Sequence, residues 1–584
     1  MLDIAHSTTG RTWRRRLNEA QERTALALAQ RFDLPEVVAR VLAGRGVTLD
    51  TAETDLRPTL RALLPDPSVL TDCDRLVAAL ADALETNKRI AIFADYDVDG
   101  ATSAAVAWRV LRHFGVTARL MVPDRVSDGY GPSAELMNTL AAEGTDVVIC
   151  VDCGSGAIEP VDAANAAGMT VLVVDHHPVD ALARAHAIIN PNRDDDDSGI
   201  GYCAAVGVTF IAMVGLVREM RRRGRQDAPD LMALLDCVAL GTVADVVPLT
   251  ALNRAFVRGG LVAFRGRENR GLAALVTAAR IGGPVDGGHL GYVLGPRINA
   301  GGRIGDSGLG ARLLVCDDDG EAERIAGMLE QLNQERRTME SRALEEAVAM
   351  ADDAPVVVVA GDWHPGVVGL VASRLKDRFR RPAIAIALST EQGVGSGRSI
   401  EGVDLGAAVR AAAASGLLTK GGGHAMAAGL TVAPQRLGDL RTFFCDRLAP
   451  AVTAATAVDN LKIDAVVALG ALTEPLARSL AEAGPWGAGR PKPRFALERV
   501  RLEHVQPVGS GDSLRLSLRA LDGTRGQAIV FRANGALGER LRGGRGETMH
   551  LAVEVSHSVF RGTPRAEIIV VDAGDVSGAL SRAA

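Results

Sequence analysis

At 584 residues, with 47% apolar residues and 64 glycines, the chain is too long for one core and too apolar for a disordered polymer. Its formal charge of −6 excludes a general electrostatic pull on nucleic acid, so any basic groove has to be local. Lysine is rare, with Lys88, Lys376, Lys420, Lys462 and Lys492 the only ones, and the arginines that make up the rest of the 65 basic residues suit bidentate phosphate contacts.

Residues 1–74 read as an Arg-rich helical region without an apolar signal segment, which points to the cytoplasm. From about 75 to 315 strands and helices alternate. The apolar runs Ile90–Ala94, Val147–Val151, Met169–Val174 and Ala187–Ile189 predict strands, with helices over Ala101–His113 and Ile158–Ala167. That alternation predicts a parallel sheet covered on both faces. The uncharged run Ser198–Val217 is long enough to raise the question of a membrane span, but its Gly-rich start and the arginines after it favour a buried core helix. Residues 316–352 predict one long charged, amphipathic connecting helix. A second, smaller α/β unit follows over 353–450, with strands at Pro355–Ala360 and Ala383–Leu388.

From 455 to 575 the pattern changes to short alternating strands, at Leu514–Leu518, Gln527–Phe531, His550–Val555 and Ala566–Val571. This spacing predicts a small all-β barrel or sandwich. From residue 451 onward there are 17 basic and 14 acidic side chains, but the aromatics are only Trp486, Phe495, Phe531 and Phe560. Strand binding here would lean on Arg494, Arg499, Arg501, Arg515, Arg532 and Arg561 rather than on base stacking.

The chemistry concentrates in the first α/β unit. Strand Ile90–Ala94 runs into Asp95, Asp97 and Asp99, which converge on one side if the backbone stays extended. Converging carboxylates need a positive partner, and a divalent metal supplies it. A calcium loop requires a bidentate Glu at the twelfth position, where this chain has Val106. Further ligand types follow at later strand ends: Asp152 in Val-Asp-Cys-Gly, Asp175-His176-His177, and Asp245 in Gly-Thr-Val-Ala-Asp. In open α/β sheets ligands bind beyond the carboxyl ends of strands. Carboxylates with imidazole and no thiolate suit Mn²⁺ or Mg²⁺, and so many donors imply two ions. Cys150 and Cys153 form a lone C-x-x-C with no second pair, and read as small apolar residues.

Glycine-rich segments in the second unit allow close approach of backbone N–H groups to phosphate. Gly422, Gly423 and His424 follow Lys420, and Ser396 and Arg398 sit in Gly-Ser-Gly-Arg-Ser. Arg297, Asn299 and Arg303 form a further candidate phosphate-binding run. No Gly-x₄-Gly-Lys-Ser/Thr is present, which excludes a P-loop motor.

In order and spacing, Asp-Tyr-Asp-Val-Asp-Gly, Val-Asp-Cys-Gly, Asp-His-His and Gly-Thr-Val-Ala-Asp resemble the four motifs of the DHH phosphoesterase superfamily. Asp362–Gly369, Gly395–Ser399 and Gly421–Gly429 resemble its DHH-associated domain, and the β-rich tail resembles an oligonucleotide-binding (OB) domain. The resemblance implies catalytic residues Asp97, Asp99, Asp152, His176, His177 and Asp245. Of these, Asp97, Asp99, Asp152, His176 and Asp245 match metal ligands, and Asp152 matches the bridge between the ions. Asp95 and Asp175 are metal ligands or orient one. The implied activity is 5′→3′ exonuclease action on single-stranded DNA, releasing 5′-mononucleotides in repair and recombination. The implied partners are single-stranded DNA, a single-strand-binding protein and a RecQ-type helicase, with the chain a monomer away from membranes. The competing readings are a phosphodiesterase of the same superfamily acting on short oligonucleotides or cyclic dinucleotides, and a DNA-binding scaffold without catalysis.

Overall fold

In a computed structural model the chain divides into two compact units: Leu64–Val247 with Phe256–Val458, and Met1–Leu63 with Pro248–Ala255 and Asp459–Ala584. The structure describes residues 4–125, 127–456, 460–509, 512–533, 535–560 and 562–576, so Arg561 lies outside the described residues.

The first unit opens on a five-stranded parallel sheet. Its strands are β1 (Ile90–Ala94), β2 (Arg119–Met121), β3 (Val147–Val151), β4 (Thr170–Val174) and β5 (Ala187–Ile189), in the order β2-β1-β3-β4-β5. Ile90, Ile92, Ile149 and Leu172 fill one face, and Phe93, Val148, Val171 and Val173 the other. Burial on both faces removes the alternation of a half-exposed strand, so these runs are continuously apolar. Each such side chain contributes about 1.5–3 kcal/mol. In this strand order the chain reverses direction across the sheet between β1 and β3. That is where a doubly wound sheet leaves a crevice for ligands.

Three helices close over the carboxyl end: α1 (Val98–His113), α2 (Ala205–Arg222) and α3 (Leu235–Ala244). The uncharged run that raised the membrane question is the buried α2. Among the described residues no helix is long and apolar enough to cross a membrane. A helix α4 (Gly295–Ile304) follows a π-helical turn at Leu290–Leu294. The 32-residue α5 (Asp319–Met350) packs against α4 through its N-terminal half and against α6 (Pro365–Phe379) through its C-terminal half.

The second sheet has five strands: β6 (Val357–Gly361), β7 (Ala383–Leu388), β8 (Gly393–Arg398), β9 (Lys420–His424) and β10 (Ala427–Val432). They lie in the order β9-β10-β8-β7-β6, with only β6 and β7 parallel. Trp363, 7% exposed, belongs to its core and donates to Glu346 Oε2 at 2.8 Å.

The other unit is built on a closed barrel: β11 (Arg494–Val508), β12 (Ser513–Arg519), β13 (Arg525–Val530), β14 (Thr548–Phe560) and β15 (Thr563–Asp575). Closure comes from β14, which pairs with both β11 and β15, while β13 pairs with β15. A closed barrel has no free sheet edge to protect. The helices among the first 63 residues do not stand alone but pack into this unit. Ala25, Leu28, Val38, Val41 and Leu42, from helices Glu19–Phe32 and Glu36–Ala43, share one core with barrel residues Leu497, Leu514, Leu516 and Leu551. Two buried charge clusters join the same segments. Asp464 meets Arg16 and Arg45, and Asp55 meets Arg254 and Arg490.

Candidate metal centre

The three aspartates after β1 converge, but not by alternation along an extended strand. The chain turns helical at Val98, Asp97 caps α1 by accepting from Asp99 N (2.8 Å) and Gly100 N (3.1 Å), and Asp99 lies in the first turn. Gly100 is required there, since a Cβ would lie 2.3 Å from the Asp95 carbonyl oxygen. Asp99 is 1% exposed and accepts from Ala205 N (2.7 Å) and Val206 N (2.9 Å) at the start of α2, where the helix dipole favours a negative charge. Asp152 follows β3 with φ +60, a left-handed conformation that a non-glycine residue adopts at a cost of order 1–3 kcal/mol. Asp245 is not at a strand end, as the sequence suggests, but at the C-terminus of α3.

His176 closes the cluster. Its Nδ1 lies 3.1 Å from the Cys203 carbonyl, which can only accept, so Nδ1 carries the proton and Nε2 presents a lone pair. That Nε2 is 3.5 Å from Asp152 Oδ1, 3.6 Å from Asp245 Oδ2 and 3.8 Å from Asp99 Oδ2. Burial, then His177, lowers the His176 pKa to about 4, so the ring is neutral as a ligand must be. Asp175 is a positioning group. It accepts from Ser155 N, His176 N and His177 N, and from His177 Nδ1 at 2.8 Å. Burial pushes its pKa up, but His177 and these N–H groups outweigh that and bring it to about 2. Burial opposes a charged His177, and the Asp175 hydrogen bond more than offsets it, so the His177 pKa is raised.

The electrostatics call for a cation. Burial, then Asp97, raises Asp95 to about 8 and Asp245 to about 7; burial and neighbouring carboxylates push Asp99 and Asp152 well above the usual range. Asp95 Oδ1, Asp152 Oδ1 and His176 Nε2 are buried with no hydrogen-bond partner. Such orphaned atoms are costly unless something binds them. Two groups with no residue in common, Asp95/Asp97/Asp152 and Asp99/His176/Asp245, each bring three donor atoms within 4.8 Å of one another. The donor set of carboxylates and one imidazole fits Mn²⁺ or Mg²⁺.

Several positioning groups lie outside the residues that the sequence analysis assigns to the site. Asn190 donates to Ser155 Oγ (2.9 Å) and the His177 carbonyl (2.8 Å), and Asn192 to the His176 carbonyl (2.6 Å), fixing the two-histidine loop. Tyr130 donates to the Asp152 carbonyl (3.1 Å) and lies 2.9 Å from His177 Nδ1. Asn190 and Asn192 follow a strand end like the other site residues, a position that points to them in retrospect; Tyr130 lies in a loop and has no such cue.

A second cluster is basic. Arg303, at the end of α4, donates to the Gly366 carbonyl at 3.1 Å. Burial, then the nearby charges of Arg125, Arg336 and Arg398, depresses its pKa to about 9, the mark of guanidiniums crowded without enough anions. Arg125 stacks over Tyr96, 4.8 Å from the ring centroid, and is a residue the sequence did not single out. The Gly-Gly-Gly segment is the strand β9, not a free phosphate loop. Its register sets His424 beside Ala427 and Arg398, and Gly422 beside Gly429 and Ser396, so Ser396, Arg398, Gly422 and His424 share one sheet face. Gly423 interrupts that face at φ +137. Arg297 stands apart, engaged by Glu330 (2.5 Å) and the Val293 carbonyl (2.7 Å), and Asn299 is half-buried on the same helix.

On the barrel, Arg501, Arg519 and Arg525 form one cross-strand row, and Arg515 lies on the same outer face. Glu503 neutralises part of it through Arg519 and Arg525. Arg494 is paired with Glu554.

The comparisons agree with this geometry. The DHH family N-terminal domain matches residues 89–242, the DHHA1 domain 353–449 and the RecJ OB domain 463–572. A parallel sheet with this acidic and imidazole cluster, followed by that second domain, makes the chain a member of the DHH superfamily. The single-stranded-DNA-specific exonuclease RecJ of Dickeya dadantii is 39% identical over 82% of this chain and 88% of its own length; that of Escherichia coli is 36% identical over 92% and 96%. The crystal structure of Thermus thermophilus RecJ in complex with Mn²⁺ superposes with a TM-score of 0.77 at 28% identity, over 95% of this chain and 78% of that one. Within the superfamily, the chain belongs to the RecJ family.

Proposed function

We propose that this protein is a metal-dependent 5′→3′ exonuclease on single-stranded DNA that releases 5′-mononucleotides. The observation that carries the reading is the set of buried, unpartnered donors on Asp95, Asp152 and His176 among five converging carboxylates. Its relatives are single-stranded-DNA-specific exonucleases, and solved RecJ structures hold Mn²⁺ or Mg²⁺. In this reading Asp97, Asp99, Asp152, His176 and Asp245 would hold two ions. Bound divalent ions would supply Lewis-acid polarisation of the scissile phosphate and of the attacking water.

The chain's own residues do the rest. The Cys203 carbonyl holds His176 in the tautomer a ligand needs, and Asp175 and Asn192 fix its backbone. His177, tied to Asp175 through Nδ1, keeps Nε2 for the scissile phosphate. Arg303, Arg398 and Ser396, with Gly422, Gly423 and His424 on the neighbouring strand, hold the 5′ phosphate. Asn299 lines the approach, and Arg297 shapes the helix by its pairing with Glu330. The domain bounds are 75–315 for the DHH part, 353–450 for the DHH-associated part and 455–575 for the OB part. The protein acts as a monomer in the cytoplasm, on strands exposed by a RecQ-type helicase and covered by a single-strand-binding protein.

The test is hydrolysis of 5′- or 3′-labelled single-stranded DNA, duplex DNA and a dinucleotide, with Mn²⁺ and with chelator. Mononucleotide release from the 5′ end of single strands, only with metal, is expected. Preference for the dinucleotide would assign the protein to the short-substrate phosphodiesterases instead.

A further inference from the structure

The helical run from Gly287 to Ile304 passes along the whole site. At its far end Arg303 belongs to the arginine cluster, and Gly302 packs so closely on the Tyr96 carbonyl that a Cβ would meet it at 2.8 Å. In the middle, a Cβ at Gly295 would lie 3.4 Å from Ala244 and 3.9 Å from Val98, the neighbours of Asp245 and of Asp97 and Asp99. At the near end, a Cβ at Gly291 would lie 3.2 Å from Val243. The run therefore visits the basic cluster, the carboxylate cluster and the end of α3 in that order.

Beyond the carboxylates it presents an aromatic ring. Tyr292 is 83% exposed, the most exposed of the large apolar side chains among the described residues. It stands on the π-helical turn Leu290–Leu294, a helical irregularity that recurs at functional sites. Next to Asp245, Val246 is 68% exposed at φ +62, a left-handed conformation that a β-branched residue rarely adopts. Core packing explains neither side chain, and both flank the last turn of α3.

We infer that Tyr292, on the turn that packs against the end of α3, is a stacking platform for a base on the 3′ side of the scissile phosphate. The inference rests on the exonuclease reading above. Eleven residues separate Tyr292 from Arg303, about 16 Å at the helical rise. A strand whose 5′ phosphate sits at Arg303 therefore passes the carboxylates and reaches Tyr292 within its first few nucleotides. Every base has a π-face, so the platform tolerates sequence while it grips length. It makes a strand of several nucleotides a better substrate than a dinucleotide, which ends before the ring.

The experiment places 2-aminopurine at successive positions of a 5′-phosphorylated single strand and follows its fluorescence on binding to the full chain with Ca²⁺ replacing Mn²⁺. Cleavage of the same strands is then measured with Mn²⁺. Quenching is expected at one or two positions near the 5′ end, lost in Tyr292→Ala and kept in Tyr292→Phe and Tyr292→Trp. Tyr292→Ala should bind six-nucleotide and longer strands about 5- to 10-fold more weakly, the lower part of the range for base–aromatic stacking, and leave dinucleotide cleavage unchanged. Equal affinity and the same quenching pattern in Tyr292→Ala overturn the platform. A wild-type chain that fails to degrade single strands with Mn²⁺ overturns instead the exonuclease reading on which the platform rests.

Discussion

Two regions of this molecule bury charge, and they do it in opposite ways. In the unit that holds the barrel, Asp464 is met by two guanidiniums, those of Arg16 and Arg45, and Asp55 by Arg254 and Arg490. At the carboxyl ends of β1 and β3, Asp95, Asp97, Asp99 and Asp152 are joined by Asp245 from the end of α3, and repulsion among carboxylates adds to burial in raising Asp95, Asp99, Asp152 and Asp245. Buried charge that is matched serves the fold. Buried charge that is unmatched stores repulsion that a bound cation relieves, and so marks a ligand site.

The largest effect expected from this contrast is on activity. Asp152→Asn keeps the shape, tolerates the left-handed backbone at φ +60 better than alanine does, and removes the charge. Cleavage of single-stranded DNA should fall by more than about 100-fold, beyond what loss of an outer positioning group causes. In chelator the variant should melt no lower than wild type, because it also removes repulsion. A clear drop in its melting temperature would move Asp152 to the structural class.

Asp464→Ala is the opposite case. It leaves two buried guanidiniums uncompensated and should cost about 3–5 kcal/mol of stability, read by denaturant unfolding of the full chain. Single-turnover cleavage per folded molecule should not change. Equal stability would mean that Arg16 and Arg45 reach water once Asp464 is gone.

Arg398→Ala tests the basic cluster. A charge-assisted contact is worth about 1.5–3 kcal/mol, so apparent affinity for 5′-phosphorylated strands should weaken roughly 10- to 100-fold. Strands with a 5′ hydroxyl should be affected little. If single-turnover rates at saturating DNA fall as far as affinity, Arg398 acts on the scissile phosphate and not on the 5′ end.

The smallest effect is on pH dependence. Asp95 and Asp245 have folded-state values of about 8 and about 7, against about 4 in an unfolded chain. Their contribution to stability is complete below about pH 4 and is lost as pH rises through 7 and 8, because the fold then holds charges it disfavours. Metal-free protein should therefore melt lower at pH 9 than at pH 6, and excess Mg²⁺ should close the gap. The same melting temperature at both pH values in chelator would show that the carboxylates are already relaxed.

The chemistry of the site was legible because it sits in short contiguous motifs. Asp95 to Asp99, Asp152, Asp175 to His177 and Asp245 announce themselves by residue type, and apolar runs such as Ile90–Ala94 and Val147–Val151 predict their strands to the residue. A strand buried on both faces has no other way to be written. The sequence misled where backbone direction decides the geometry. Asp99 reaches the cluster through a helix turn, Asp245 through a helix end, and Gly421–Gly423 through a strand whose pairing aligns Gly422 with Ser396.

What the sequence determined by itself is therefore the inventory: which ligand types exist and which short motifs carry them. Tertiary structure decided the company each residue keeps. Arg125, Tyr130 and Asn192 join the site, and Arg297 is drawn away to Glu330. Helices from the first sixty residues share a core with strands some five hundred residues later, so a cut after Ala449 strips Leu28, Val38 and Leu42 of their packing. The physical reason is that burial and pairing depend on distance in space. Periodicity along the chain shows that a face must be covered, and only the fold shows what covers it.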